Sequence, residues 1–548
     1  MAVTETTDRF GDDPTTAQGP GDPAGHRSGG ASLGQLTGRW RTVAGIIVVA
    51  VVVAAVVLRF WTRSALWLDE ALTVDIARQP VRELQHFLRR DGAPPLYYFL
   101  LHFWMGIFGQ SDLAVRSLAG VLSVATLPIA WVAGRRFGGR TVAWATLLLL
   151  ASSPFAIYYA TESRMYALVM FLTACGFLAL ERALRAPRPG NLTALALVVG
   201  ALLYTQYWAL YLVAVAGLWL LYQSWRGRVA WRRPARFAFG ATFVGSLTFL
   251  PWLPTFLFQA HHTGTPWAAP ANMAAVINAI TGFTDNQGTL TDAGSNQGRL
   301  LALLYFVLIF LALFGIAKDR WHTELDLRTR PRARGMTWIV VGTLVLAVLG
   351  GIVSKSAFSQ RYASVVLVPL VLLMALGVAT LASPKVRAVV LAVAVAAGLA
   401  VGVENIWTQR TQAPAVAAVI RAHAAPGDVV AFCPDQLGPA TARLLPTSRY
   451  RLLTFPRGTG PQYVNWINYL DVVERANPVT FAQRLERMAG NHTIWAVWAP
   501  GYNGFGDMCN QLVTTLSQEP GVSTVQRVTL DPGEYYEPMY LWEFRKSS

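Results

Sequence analysis

The chain has 548 residues, 53% hydrophobic and 14% charged, with a mean hydropathy of +0.38. Soluble domains carry roughly 25% charged residues, so this composition excludes an ordinary soluble enzyme and points to a protein that crosses a membrane many times. The net charge of +16 would suit a nucleic-acid binder, but the basic residues sit in short gaps between apolar runs. There they set orientation in a bilayer, which excludes nucleic acid as the partner.

Residues 1–38, rich in Gly, Pro, Thr and Asp, read as a disordered cytoplasmic tail. The tail is too long and too acidic for the start of a cleaved leader, so the run 43–60 is expected to be a retained signal-anchor. Further apolar runs follow at 95–109, 114–134, 141–160, 165–181, 192–224, 237–257, 299–317, 337–353, 362–381 and 386–403. Lys and Arg concentrate in the gaps 135–140, 182–188, 226–236, 318–334 and 385–387, which the positive-inside rule places in the cytoplasm.

That assignment decides two ambiguous runs. With basic gaps at both ends, 192–224 must cross an even number of times and is expected to be a hairpin turning at Tyr204-Thr205-Gln206-Tyr207. The run PPLYYFLLHFWMGIFG (94–109) falls short of the ~20 residues of a span. Counting it as a crossing would also put 135–140 outside, so it is expected to lie in the outer interface. The expected fold is an α-helical polytopic membrane protein of about eleven spans, over 39–404, with the N-terminus inside and residues after 404 outside. Outer loops are then 61–113, 161–164, the hairpin turn, 258–298 and 354–361.

Beyond the last span, PGDVVAFCPDQLGPATARLL reads strand, loop, helix, and HTIWAVWAP and MYLWEF read as buried strands. A small extracytoplasmic α/β domain is expected over 405–548. Cys433 and Cys509 both fall in it, which leaves a disulfide between them open in an oxidising compartment, whereas Cys175 lies in an apolar run.

Three outer segments carry polar residues that a passive loop does not need. LWLDEALT (66–73) holds Asp69 and Glu70; its bland alternative makes Asp69 the cap of the following helix. SPFAIYYATESRMYAL sets Glu162, Arg164 and Tyr166 where two spans meet, and there a Glu–Arg pair holding a tight turn is the alternative. KSAFSQRYAS sets Arg361 and Tyr362 at the start of a span, where the arginine can instead snorkel to headgroups. Jointly the alternatives weaken, because Arg164 and Arg361 run against the charge bias of the outer side. Outward carboxylates beside outward arginines suit a transfer reaction: the carboxylate deprotonates an attacking hydroxyl while the guanidinium holds a leaving phosphate.

In order, WLDEA, PPLYYFLLHFW, VRSLAGVLSV, SPFAIYYATESRMYAL and SQRYASVVLVPL resemble the glycosyltransferase-C superfamily over about 60–410. Within it they resemble the dolichyl-phosphate-mannose-protein mannosyltransferase and aminoarabinose transferase-like branch (glycosyltransferase family 39-like). The resemblance implies a polyprenyl-phosphate-linked sugar as donor and a hydroxyl acceptor on an envelope glycan, a glycolipid or a secreted protein, with membrane lipid as surroundings. It implies that Asp69 is the catalytic carboxylate and Glu70 the second acid of the family pair. Helix 94–109 fits the family's juxtamembrane helices. Aminoarabinose transferases carry an Asp near Thr161-Glu162-Ser163-Arg164, where this chain has Glu162 in an unfixed register.

The expected mechanism has Asp69 take the acceptor proton, with inversion at the anomeric carbon, and Arg164 or Arg361 neutralise the lipid phosphate bidentately. Adjacent acids do not flank a sugar as glycosidase carboxylates do. Glu162, Tyr166, Tyr97, Tyr207 and Tyr362 are expected substrate contacts, although the tyrosines at 204 and 207 also suit an interfacial belt. The loop 258–298, without Lys or Arg, is expected to be a lid. Its His261-His262 leaves a divalent metal open, while the site residues themselves imply no metal or other cofactor. The rival class is a secondary transporter or flippase for a lipid-linked or envelope metabolite, whose site would lie at the midplane between repeats. No half-to-half repeat is visible, and the polar residues gather at one face. The Arg-rich, Lys-poor, Ala/Val-heavy composition points to a GC-rich bacterium and a decaprenyl-type carrier in its plasma membrane.

Overall fold

The computed structural model describes residues 33–264, 272–285, 295–318, 322–354 and 359–546. Most of the expected tail, 1–32, lies outside the described residues, as do 265–271 and 286–294 of the expected lid. By its contacts the chain divides into Met1–Val49 and Ala50–Ser548.

Among the described residues, seven helices are long and apolar enough to cross a membrane: Asp112–Gly138, Tyr166–Arg185, Val229–His262, Asn296–Phe314, Arg332–Val353, Gln360–Thr380 and Pro384–Trp407. Thr42–Leu58, Arg140–Ala151, Pro189–Leu203 and Leu96–Phe108 are shorter apolar helices. The run 192–224 breaks after Leu203 and resumes as the helix Ala209–Arg226. Large apolar side chains stand exposed along these helices, among them Leu197, Leu218, Phe243, Leu303 and Val389. Such a surface is unfavourable in water and suits hydrocarbon.

The helix Ser364–Thr380, SVVLVPLVLLMALGVAT, is apolar all round and buried along nearly its whole length, as expected of a helix at the centre of a bundle. It packs on Asn296–Phe314, Arg140–Ala151, Pro331–Val353 and Tyr166–Arg185. Close approach requires Gly377, because a Cβ there would fall well inside van der Waals contact of the Leu308 carbonyl. The helix is entered through the 3-10 turn Gln360–Ala363. Arg361 is therefore presented at the entry to a helix buried along nearly its whole length.

The loop after residue 60 folds into three helices, Leu68–Ala77, Leu84–Asp91 and Leu96–Phe108. The last has 13 residues and is about 20 Å long, too short for a ~30 Å hydrocarbon layer. It buries Tyr97, Tyr98, Leu101 and Met105 on one face and exposes Phe103, Ile107 and Phe108 on the other.

The C-terminal region holds a five-stranded sheet in the spatial order Arg451–Thr454, Val429–Cys433, Ile494–Trp498, Tyr540–Lys546, Val522–Val528. The first three strands are parallel; Tyr540–Lys546 runs antiparallel to both its neighbours. Val429–Cys433 and Ile494–Trp498 are buried at every position, which explains their unbroken apolar sequences. A disulfide joins Cys433, at the end of the central strand, to Cys509 in the helix Met508–Gln518. This region sits on the helices Leu68–Ala77 and Leu84–Asp91: Tyr463 donates to the Asp75 carbonyl (3.2 Å), and the Trp466 N–H to that of Arg90 (3.1 Å).

Candidate active site

Asp69 lies in the first turn of Leu68–Ala77, one residue inside the helix. The N-cap is Trp67, with no side-chain cap bond, and the Asp69 carboxylate turns instead to two arginines. Arg361 Nη1 is 2.6 Å and Arg164 Nη2 3.8 Å from Asp69 Oδ2. The helix-cap alternative is thereby displaced, and so is snorkelling of Arg361. All three side chains are 10–15% exposed, sheltered enough for strong attraction yet still reachable by a ligand. Arg164 is further fixed by the Thr73 hydroxyl (2.9 Å) and Tyr98 (3.4 Å), and Tyr98 donates to Asp91 (2.6 Å).

Glu70 points the other way and is fully buried. It accepts from Arg116 Nε (2.7 Å) and from the Ser163 N–H (2.9 Å), and Arg410 Nη1 stands 3.6 Å away. Burial opposes its charge, but Arg116, Arg410 and the Ser163 N–H outweigh burial and hold the carboxyl below the usual range. A carboxylate that is fully buried and holds two arginines and a backbone N–H orients its neighbours and lies out of reach of a substrate proton.

Arg116 and Arg410 are the functional candidates that sequence reasoning missed. Arg116 lies inside the quoted motif VRSLAGVLSV, an arginine at the outer end of an apolar run, and that was its signal. Arg410, 1% exposed, directly follows the last membrane helix. It donates to the Thr161 carbonyl (2.9 Å) and hydroxyl (2.7 Å) and lies over the Tyr158 ring at 4.3 Å.

Glu162 is 1% exposed, and its Oε1 has no hydrogen-bond partner. Burial pushes its carboxyl up to about 7, against the pull of Arg410 and with the push of Glu70. The carboxylate does not pair with Arg164; their link is a backbone bond from the Arg164 N–H to the Glu162 carbonyl (2.8 Å). The tight-turn ion pair is thus absent.

The tyrosines divide. Tyr362 lies 5.7 Å from the Arg361 guanidinium, and the buried Tyr166 packs edge-on to Tyr159 at 4.6 Å. Tyr97 is buried beside Tyr98, at 6.5 Å. Tyr207 is spent elsewhere: its hydroxyl bonds Trp252 (3.0 Å) and Gln259, and its ring packs on Phe256. None of these Tyr207 contacts reaches the carboxylate–guanidinium cluster. His262 bonds the Phe258 carbonyl (2.8 Å) and stacks on the Phe258 ring. Among the described residues no three His, Cys, Asp or Glu gather to hold an ion.

Residues 92–254 match the family model of dolichyl-phosphate-mannose-protein mannosyltransferases. No curated protein matches the chain in sequence. In structure it resembles ArnT from Cupriavidus metallidurans in the apo state, with a TM-score of 0.58 and 15% identity over 92% of this chain and 98% of that one. The same protein bound to undecaprenyl phosphate gives 0.56 and 15%, over 91% and 98%. It has the glycosyltransferase-C fold. The oligosaccharyltransferase of Archaeoglobus fulgidus, solved with Zn and sulfate, resembles it more distantly, with a TM-score of 0.53 and 12% identity over 82% of this chain and 67% of that one. The family match begins at residue 92 and includes Arg116, Glu162 and Arg164, but neither Asp69 nor Arg361.

Proposed function

We propose that the protein is a membrane glycosyltransferase that moves a sugar from a polyprenyl-phosphate carrier to a hydroxyl acceptor at the outer face of the membrane. The observation that carries this reading is a single carboxylate, Asp69, held between two guanidinium groups from distant segments, Arg361 and Arg164. The family match and the likeness to a protein that binds undecaprenyl phosphate support the donor class.

In the proposed mechanism the donor phosphate displaces Asp69 as the partner of Arg361 and Arg164. Two planar guanidinium forks suit a phosphate better than ammonium groups do. The freed Asp69 accepts the proton of the acceptor hydroxyl, whose oxygen bonds to the anomeric carbon. The bond from that carbon to the phosphate oxygen breaks, and the electron pair leaves on the lipid phosphate, where the arginines neutralise it. Attack from the face opposite the phosphate inverts the centre. Glu70, locked by Arg116, positions the turn that carries Asp69. Glu162, kept protonated by burial below about pH 7, adds no further negative charge beside the anionic donor.

The test is transfer of label from a panel of polyprenyl-phosphate sugars in membranes containing wild type or Asp69→Asn. Wild type should transfer from one donor, and Asp69→Asn should lose at least about 100-fold. Equal transfer by both would remove Asp69 from the chemistry. Carrier binding without transfer by wild type would favour a flippase.

A further inference from the structure

Part of the site comes from the far end of the chain. Gln409–Thr411, just past the last membrane helix, pairs in parallel with Tyr535–Glu537, Thr411 opposite Glu537. Gln412 locks this ribbon: its N–H donates to the Glu537 carbonyl (3.1 Å), its side-chain amide donates to the Thr529 carbonyl (2.7 Å), and its Oε1 accepts from the Met539 N–H (2.9 Å). The same strand carries Arg410, buried against Thr161 and 3.6 Å from Glu70. The segment Tyr535–Glu537, more than 460 positions from Asp69 in the chain, is thereby tied to the carboxylate cluster.

Tyr536 stands on that ribbon edge-on to Trp67, with ring centroids 5.2 Å apart and planes at 86°. Trp67 caps the helix of Asp69, and the Arg361 guanidinium lies 5.9 Å from the Trp67 ring. Trp67 is 7% exposed, whereas Tyr536 is 57% exposed. Glu537, 4% exposed, pairs with Thr411 in the ribbon, and its backbone carbonyl is held by the Gln412 N–H. The chain therefore fixes Tyr536 firmly at its base while leaving most of its ring uncovered. An aromatic face held open beside a transfer site is a ready platform, because its negative π-face attracts the partly positive C–H groups of a sugar ring.

We propose that Tyr536 is the acceptor platform: the acceptor is a carbohydrate whose ring stacks on Tyr536, which turns one of its hydroxyls toward Asp69. This rests on the transferase reading above and gives the C-terminal domain the part of choosing the acceptor. A sugar stacked by its C–H face keeps its hydroxyls free at the rim, as the transfer step needs.

The test uses the full-length protein in nanodiscs and two separate binding measurements. One is against an array of immobilised linear and branched oligosaccharides; the other is a titration with undecaprenyl phosphate. Wild type should bind at least one glycan, Tyr536→Ala should weaken that binding about tenfold, and Tyr536→Phe should restore most of it. Undecaprenyl phosphate affinity, which reports Arg361 and Arg164, serves as the internal comparison for folding. The proposal is overturned if wild type binds no glycan, or if Tyr536→Ala binds the glycan as wild type does. Failure of wild type to bind undecaprenyl phosphate would count against the donor reading, while the glycan measurement would still decide the role of Tyr536.

Discussion

At the scale of the residue, the site depends on which carboxylates are engaged and which can be freed. Asp69 shares its partners with the expected donor, Glu70 is immobilised, and Glu162 is kept near the point of ionisation. Arg361→Lys keeps the charge and loses the fork, so transfer should fall by about tenfold or more, checked by initial rates at saturating acceptor. The Glu162 carboxyl titrates at about 7. As pH rises through that value it ionises and adds negative charge near an anionic donor, so transfer should decline. Glu162→Gln cannot ionise, so its rate–pH profile should lose that declining limb; a limb unchanged in the variant would assign it to another group. The residue types were legible in the sequence, but their partnership was not. Asp69 and Arg361 are 292 positions apart, and Arg410 and Thr161 are 249 apart. No periodicity connects them; only the packed bundle does.

Elements were far more legible, because each apolar run must satisfy its own backbone hydrogen bonds in a membrane and therefore folds as a helix. The break at Tyr204 and the short helix in the first outer loop follow from charge and length in this way. The strands Val429–Cys433 and Ile494–Trp498 likewise follow from short, fully apolar segments bounded by Gly, Pro or polar residues. The ribbon that joins Gln409–Thr411 to Tyr535–Glu537 was not legible, since three-residue strands carry no pattern of their own. Two predictions belong at this scale. Gly377→Ala forces the central helix away from the Leu308 carbonyl and should destabilise by about 1–3 kcal/mol, read from thermal unfolding in detergent. Arg116→Ala strands the buried Glu70 and should cost about 3–5 kcal/mol. Arg116→Ala with wild-type stability would show that Glu70 finds another partner.

For the whole molecule, the C-terminal region packs against the candidate site: it contacts the helix Leu68–Ala77 and sends Tyr535–Glu537 beside Trp67. Its own core contains Asp435, which accepts from Tyr469 and is 2% exposed. Burial pushes this carboxyl up to about 7, with Tyr469 and Arg457 opposing. Because its folded pKa is raised, the native state holds the proton more tightly than the unfolded chain does. Its stability contribution is therefore fullest at low pH and is lost as pH rises from about 4 to about 7. Asp435→Asn should flatten the thermal stability profile across that window; an unchanged slope would place the titration elsewhere.

The central claim is that Asp69 and the donor phosphate compete for Arg361 and Arg164 before Asp69 takes the acceptor's proton. The measurement that tests it most directly is undecaprenyl phosphate affinity together with sugar transfer, both on Asp69→Asn. The account predicts tighter lipid binding, because the competing charge is gone, together with a loss of transfer of about 100-fold or more. Unchanged transfer with weaker lipid binding would contradict it.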